Sequence, residues 1–268
     1  MIFLALLALG LFTGIMAGIF GIGGGIFFTP ILFMLFSSMG LESTVSWTVG
    51  TSLFCTFTAA LSSTFQQMNE HNSYIREGIT VGLFGAAGVY VGKLIVTSEF
   101  YTELIFTLFF VSILLTVAYS FYRRGTSSKK FTLSKKRIGV KESIFTGSVG
   151  GAVAAMAGIG GGTVIVPALN LWYRIPLVKA VSTSSLAIVM ISLSGWMQFA
   201  FLSGSPAGVT NYTQGFVDFG TGLPLILGAF LGGFFGVRIG TYIKQSHLQI
   251  GFSILVCIVA IVMVWSIL

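Results

Sequence analysis

The chain alternates between long apolar runs and short polar joints from one end to the other. Uninterrupted apolar stretches fall near 44–66, 77–97, 101–122, 177–203, 218–240 and 246–268. Each is close to the roughly 20 residues of helix that cross a bilayer. Two further apolar segments, 1–38 and 143–173, are broken by glycine clusters. The short alternating segments of an outer-membrane barrel are absent. The pattern predicts an all-α, polytopic membrane protein with no room for a soluble domain. The apolar start, residues 1–20, carries no Lys or Arg and is expected to be retained rather than cleaved as a signal peptide.

Composition narrows the class further. Hydrophobic residues make up 55% and charged residues 8% of the 268 positions, against about 25% charged in soluble domains. The 26 Phe and 35 Gly suit helices that face lipid on one side and pack closely on the other.

The chain also repeats itself. Gly21-Ile22-Gly23-Gly24-Gly25 with Pro30 matches Gly158-Ile159-Gly160-Gly161-Gly162 with Pro167, and Gly14 matches Gly151. The strip Thr48-Val49-Gly50-Thr51-Ser52 matches Ala180-Val181-Ser182-Thr183-Ser184, and Gln66 matches Gln198. Gly88 and Gly92 match Gly232 and Gly236. The matches keep their order, so the chain divides into a first repeat at 1–122, a connector at 123–141 and a second repeat at 142–268.

Charge placement orients the repeats. Arg123, Arg124, Lys129, Lys130, Lys135, Lys136, Arg137 and Lys141 crowd the connector with no acid among them, and the net charge of +7 resides there. The connector is therefore expected on the cytoplasmic side of the cell's inner membrane, near anionic lipid heads, with no role for nucleic acid. If each broken segment goes in and returns to the same side, as a re-entrant hairpin or as paired spans, the two repeats are inverted. Arg76, Arg174, Lys179, Arg238 and Lys244 then all lie inside, while Glu42, Glu99, Glu103 and the Lys/Arg-free loop 204–217 lie outside. Parallel repeats would put four of those cations outside. Inverted pseudo-symmetric repeats are the expectation.

Three glycines in a row cost a helix roughly 1 kcal/mol each and free backbone amides that hydrocarbon cannot satisfy. After each break the chain can resume as a short helix whose N-terminal amides and positive dipole end point back at the glycines. Two such ends facing one cavity would hold a small anion without an intramembrane Lys or Arg. The candidate binding residues are Gly23, Gly24, Gly25, Thr51, Ser52 and Gln66 in the first repeat, with Gly160, Gly161, Gly162, Thr183, Ser184 and Gln198 in the second. Close helix packing is the alternative use of the glycines. Backbone bonding is the alternative use of the hydroxyls.

The doubled Gly-Xaa-Gly-Gly-Gly-Xaa4-Pro, followed by the Val-Gly-Thr-Ser strip, resembles the sulfite exporter TauE/SafE family over essentially the whole chain. The second strip departs from the pattern, with Ser182 where the first has Gly50. The resemblance implies a permease for small sulfur-containing anions such as sulfite or organosulfonates. A channel, a permease for another small anion and a non-transporting scaffold are the competing readings. No nucleophile, base and orienting group fall in register for an enzyme, Asp218 is the only aspartate, and Cys55, Cys257, His71 and His247 form no metal-ligand pattern. No cofactor is expected. The coupling ion, the direction of transport and the oligomeric state leave no trace in the sequence.

The topology is testable by thiol labelling of single cysteines in sealed vesicles. A cysteine replacing Arg174 is expected to react only from the cytoplasmic face and one replacing Ser205 only from the outer face; outer labelling at 174 contradicts inverted repeats.

Overall fold

A computed structural model describes residues 2–20, 24–69, 75–126, 138–175, 177–203, 207–240, 242 and 245–266. The broken segment of the first repeat forms α1 (Ile2–Phe20) and α2 (Gly25–Ser38), and α3 (Thr44–Asn69), α4 (Ile75–Val96) and α5 (Glu103–Thr126) follow. The second repeat runs α6 (Val140–Ala157), α7 (Gly162–Pro167), α8 (Leu177–Ala200), α9 (Phe219–Gly240) and α10 (Gln245–Trp265), with α7 continuing directly into a π-helical turn, Ala168–Trp172. Each of the six uninterrupted apolar stretches is one helix, and each glycine-broken segment holds a longer helix followed by a shorter one. The chain is an all-α membrane protein.

Among the described residues four helices, α4, α5, α8 and α9, are long and apolar enough to cross a membrane. Helix α3 is longer but carries Thr44, Ser46, Thr48, Thr51, Ser52, Thr56 and Thr64, and all seven are buried. Its polar groups face protein, which is where a spanning helix can keep them. The lipid-facing surface is apolar, as at Leu223, Leu227, Phe230, Leu231, Phe234 and Phe235 of α9.

The repeats are woven together through their glycines. In α1, Gly10 and Gly14 lie against the backbone of Leu225 and Ala229 in α9, while Gly232 and Gly236 of α9 lie against Leu11 and Ile15. The same contacts recur between α6 and α4: Gly147 and Gly151 against Val81 and Gly85, Gly88 and Gly92 against Ser148 and Ala152. At each of these glycines a Cβ would collide with a main-chain carbonyl of the partner helix. Without a hydrophobic drive between helices in lipid, such close backbone approach is what holds them together. The first helix of each repeat thus pairs with the fourth helix of the other, in matching register.

The centre is the seam between α3 and α8, which run in opposite directions: Gly50 sits beside Phe199 and Leu53 beside Gly195. One end of this seam is closed by an element the sequence did not announce, a two-residue-strand hairpin of β1 (Thr213–Gln214) and β2 (Val217–Asp218). Its Phe216 packs edge-on against Trp47 at 5.5 Å, and Trp47 against Phe36 at 6.5 Å.

The reciprocal packing predicts unequal costs for glycine substitutions. Gly151→Leu should lower stability by about 1–3 kcal/mol or prevent assembly, because the obstruction is backbone of Gly85. Gly233→Ala meets no atom within 4 Å and should leave the thermal midpoint in detergent unchanged; equal losses in both would contradict this packing.

Candidate functional site

The break of the second repeat is built by backbone geometry. Helix α6 stops at Ala157 because Gly158 turns left-handed at φ 70°, its N–H bonding Ala154 O at 2.8 Å. Gly160 and Gly161 follow at φ 75° and 83°. A Cβ in this region costs roughly 1–2 kcal/mol per residue, so these glycines answer a conformational demand as well as a need for exposed amides. Helix α7 then begins at Gly162, with Val164 and Ile165 N–H bonded to Gly161 O. In the first repeat, Phe27 and Phe28 N–H bond Gly24 O at 3.0 Å as α2 begins at Gly25. No side chain caps either helix start, at Gly24 or at Gly161. The leading amides of both helices, beginning with those of Gly25 and Gly162, are thus left to a partner outside the helix.

The two breaks meet. A Cβ on Gly25 would lie 2.5 Å from Ile159 O and 3.0 Å from Thr56 Oγ1; one on Gly160 would lie 2.5 Å from Thr56 Cγ2 and 3.1 Å from Ile188 Cγ2. One on Gly162 would lie 2.6 Å from Ile188 Cδ1 and 3.6 Å from Ser184 Oγ. Thr56 of α3 therefore stands between the break of its own repeat and that of the other. Ile188 occupies the matching position on α8, where the strips put Ser184 opposite Ser52, so the pseudo-symmetric pair is a hydroxyl on one side and an apolar wall on the other.

The expected site residues divide by what their hydroxyls touch. Ser52 Oγ lies 2.8 Å from Gly158 O and 2.9 Å from Thr29 Oγ1, so its proton has a protein acceptor. Thr51 Oγ1 accepts Asp218 N–H at 3.0 Å, which ties the hairpin to the α3 strip. Thr183 and Ser184, by contrast, are 0% and 1% exposed, and their hydroxyls have no hydrogen-bond partner among the described residues. Gln198 lies fourteen residues beyond Ser184 on α8, about 21 Å along the helix; its Nε2 donates to Ser194 Oγ at 2.9 Å and its Oε1 is buried without a partner. Gln66 stands in the equivalent place at the far end of α3, its side chain outside the described set, and Gly23 lies outside the described residues altogether.

Three residues at the break escaped the sequence reading: Thr29, Thr56 and Thr163. Thr56 and Thr163 are 3% and 6% exposed, and their hydroxyls have no partner among the described residues. Thr56 follows Ser52 by four residues and Thr29 follows Gly25 by four, so helical spacing placed each on the same face as a residue already singled out.

The charged groups sit elsewhere. Asp218, fully buried, caps α9: its carboxylate accepts Thr221 N–H at 3.1 Å, Thr210 N–H at 3.0 Å and the Thr210 hydroxyl at 2.5 Å. Lys179 pairs with Glu77 at 3.7 Å across the starts of α8 and α4, and Lys93 lies over the Tyr90 ring at 4.8 Å. Among the described residues no group of three His, Cys, Asp or Glu could hold a metal ion. Among the described residues the break presents backbone amides, carbonyls and hydroxyls.

Comparison with known proteins agrees with this chemistry. The family model for Sulfite exporter TauE/SafE matches residues 6–263. A probable membrane transporter protein of Methanocaldococcus jannaschii is 27% identical over 248 residues, covering 92% of this chain and 90% of that protein. Similar proteins of Bacillus subtilis (28% over 260 residues, 89% of each chain) and Haemophilus influenzae (26% over 268 residues, 95% of each chain) are also named probable membrane transporter proteins. No solved structure matches the chain significantly.

The left-handed glycines yield a contrast that thermal unfolding in detergent can read. Gly161→Ala should destabilise by about 1–2 kcal/mol from backbone strain alone, whereas at Gly162 the obstruction is the mobile end of Ile188 and Ala should be tolerated. The reverse order would contradict the geometry of the break.

Proposed function

The chain belongs to the sulfite exporter TauE/SafE family of membrane transporters, and from that premise we propose that it is a permease for a small sulfur-containing anion, sulfite or an organosulfonate, bound where its two helix breaks meet. The observation that carries this reading is the pair of uncapped helix starts, Gly25 and Gly162, beside the unpartnered buried hydroxyls of Thr56, Thr163 and Ser184. Buried polar groups without partners are rare in folded proteins. Thr56 Oγ1 lies beside Gly25 and Ser184 Oγ beside Gly162, and each can donate a hydrogen bond to an oxyanion. The start of α2 adds the positive end of a 14-residue helix dipole. Three sulfonate oxygens accept such donors without needing a formal positive charge, which fits a site that has none.

Transport proceeds in this reading by alternating access, one part of the bundle rocking against the other around a fixed site, with the repeats inverted in the membrane. The reciprocal pairing of α1 with α9 and of α6 with α4, together with the antiparallel α3–α8 seam, supports that arrangement. Two equivalent packings of a pseudo-symmetric chain differ little in energy, which is what exposure to each side in turn requires. The basic connector faces the cytoplasm. The closed end of the α3–α8 seam, under the hairpin and Trp47, is the outer end.

Two measurements test the reading. Purified protein screened by calorimetry against sulfite, thiosulfate, sulfoacetate, taurine and sulfate should bind at least one sulfur anion, and Thr56→Val combined with Ser184→Ala should weaken that affinity about tenfold or more, the loss expected for two hydrogen bonds to a charged ligand. In liposomes the flux should saturate with anion concentration; linear flux at channel rates would replace the carrier with a pore. Binding of none of the five by folded protein would remove the proposal.

A further inference from the structure

The seam between α3 and α8 is tight over one half and looser over the other. On the face of α3 that meets α8, Gly50 and Leu53 are buried, whereas Phe57 and Leu61 further along are partly exposed. The facing side of α8 changes in the same sense: Gly195 and Phe199 are buried, and Ile188 and Val181, two and four turns back, are partly exposed. The change on α8 falls at Ile188, the residue that stands against both Gly160 and Gly162. The tight half is the one closed by the hairpin, and the loose half begins at the junction of the two breaks.

Two hydroxyls stand at one level in the loose half. Leu53 Cδ1 lies 2.6 Å from where a Cβ on Gly195 would be, which fixes the register of the antiparallel pair. Eleven residues, about three helical turns, carry α3 from Leu53 on to Thr64 and α8 from Gly195 back to Ser184. Both side chains therefore return to the contact faces, roughly 16 Å along the seam from that contact. Ala60 and Ala180, one turn before each, are small and buried. Thr13, Thr80, Thr97 and Thr116 each donate to the carbonyl four residues back in their own helix, at 2.8 to 3.0 Å. The same bond is open to Thr64 at Ala60 O and to Ser184 at Ala180 O, and neither takes it. Thr64 is 9% exposed, and its Oγ1 has no partner among the described residues. Such buried orphans are rare.

We propose that the anion reaches and leaves the junction through this half of the seam, and that Thr64 is a further contact on the way, passing the anion to Ser184; the identity of the traveller rests on the permease reading. One neutral hydroxyl on each helix suits a path, because a contact has to be favourable enough to admit the anion and weak enough to release it. The contact face of the tight half, Gly50, Leu53, Gly195 and Phe199, offers no side-chain donor. The structure is then the state open away from the hairpin, on the side of the basic connector.

Single cysteines read the route directly, in purified full-length protein above the background of Cys55 and Cys257. The probes are the anionic 2-sulfonatoethyl and the cationic trimethylammonioethyl methanethiosulfonates. Thr64→Cys should react, and Leu53→Cys, on the same face of α3 in the tight half, should not. Relative to free cysteine, Thr64→Cys should favour the anionic reagent. No reaction at 64, equal reaction at 53 or a preference for the cationic reagent overturns the proposal. In liposomes Thr64→Val should lower anion flux about tenfold, the loss of one hydrogen bond to a charged group, with the calorimetric affinity of the junction as in the wild type, and Thr64→Ser should restore the flux. Unchanged flux in Thr64→Val overturns the proposal as well. Should Thr64→Cys not fold, Ala60→Cys, one turn away on the same face, takes its place with the same outcomes. Labelling needs no transported anion, so a route that labels as expected in protein that binds no sulfur anion would sink the permease reading and leave the route standing.

Discussion

A polypeptide inside a bilayer has to satisfy every backbone N–H and C=O from within, because hydrocarbon offers no partners. In this chain α1 ends at Phe20 and α2 begins at Gly25, and α6 ends at Ala157 and α7 begins at Gly162. The remaining architecture follows from covering those interruptions. Breaks exposed to lipid would leave several orphan groups at several kcal/mol each. The fold brings both inside, against each other, and surrounds them with α3 and α8, the two helices richest in buried hydroxyls. Some of the orphans then find partners in the protein, as Gly158 O does with Ser52 and Thr29. Others, the leading amides of α2 and α7, have no side-chain cap.

Glycine serves two different ends in this arrangement. Along α1, α4, α6 and α9 its missing side chain lets helices of opposite repeats touch backbone to backbone, which locks the halves together. At 158, 160 and 161 its tolerance of positive φ turns the chain so that Gly161 and Ile165 lie against Gly150 of α6. The junction that results holds helix starts and helix ends together, positive and negative partial charges a few ångströms apart. The only aspartate is occupied in capping α9.

Most of the fold could be read from the sequence, because the membrane imposes period and length on it. The six apolar stretches each became a helix, and the duplicated glycines marked the contacts that recur between α1–α9 and α6–α4. Hydropathy understated α3, since Thr and Ser on an inward face lower the mean without disqualifying the span. The β1–β2 hairpin was invisible because its strands are two residues long and lie in a polar loop. At the site, helical spacing from Ser52 and Gly25 would have reached Thr56 and Thr29, but which hydroxyls the protein uses for itself depends on tertiary contacts. Thr51 is engaged by the Asp218 N–H and Ser52 faces Gly158 O, while their counterparts Thr183 and Ser184 have no partner. The symmetry-breaking pair of Thr56 and Ile188 acquires meaning only when both are seen against Gly160. Gln66 and Gln198 matched in register, yet lie far along their helices from the breaks.

The central claim is that the junction of the two breaks is where the transported anion sits. The most direct measurement is an anomalous-scattering map from crystals grown with a selenium analogue of the anion that binds in solution, selenite where that anion is sulfite. The account predicts a selenium peak between the start of α2, the Thr56 hydroxyl and the start of α7. A peak confined to the surface or to the helix ends near Gln66 and Gln198, with none at the junction, would contradict it.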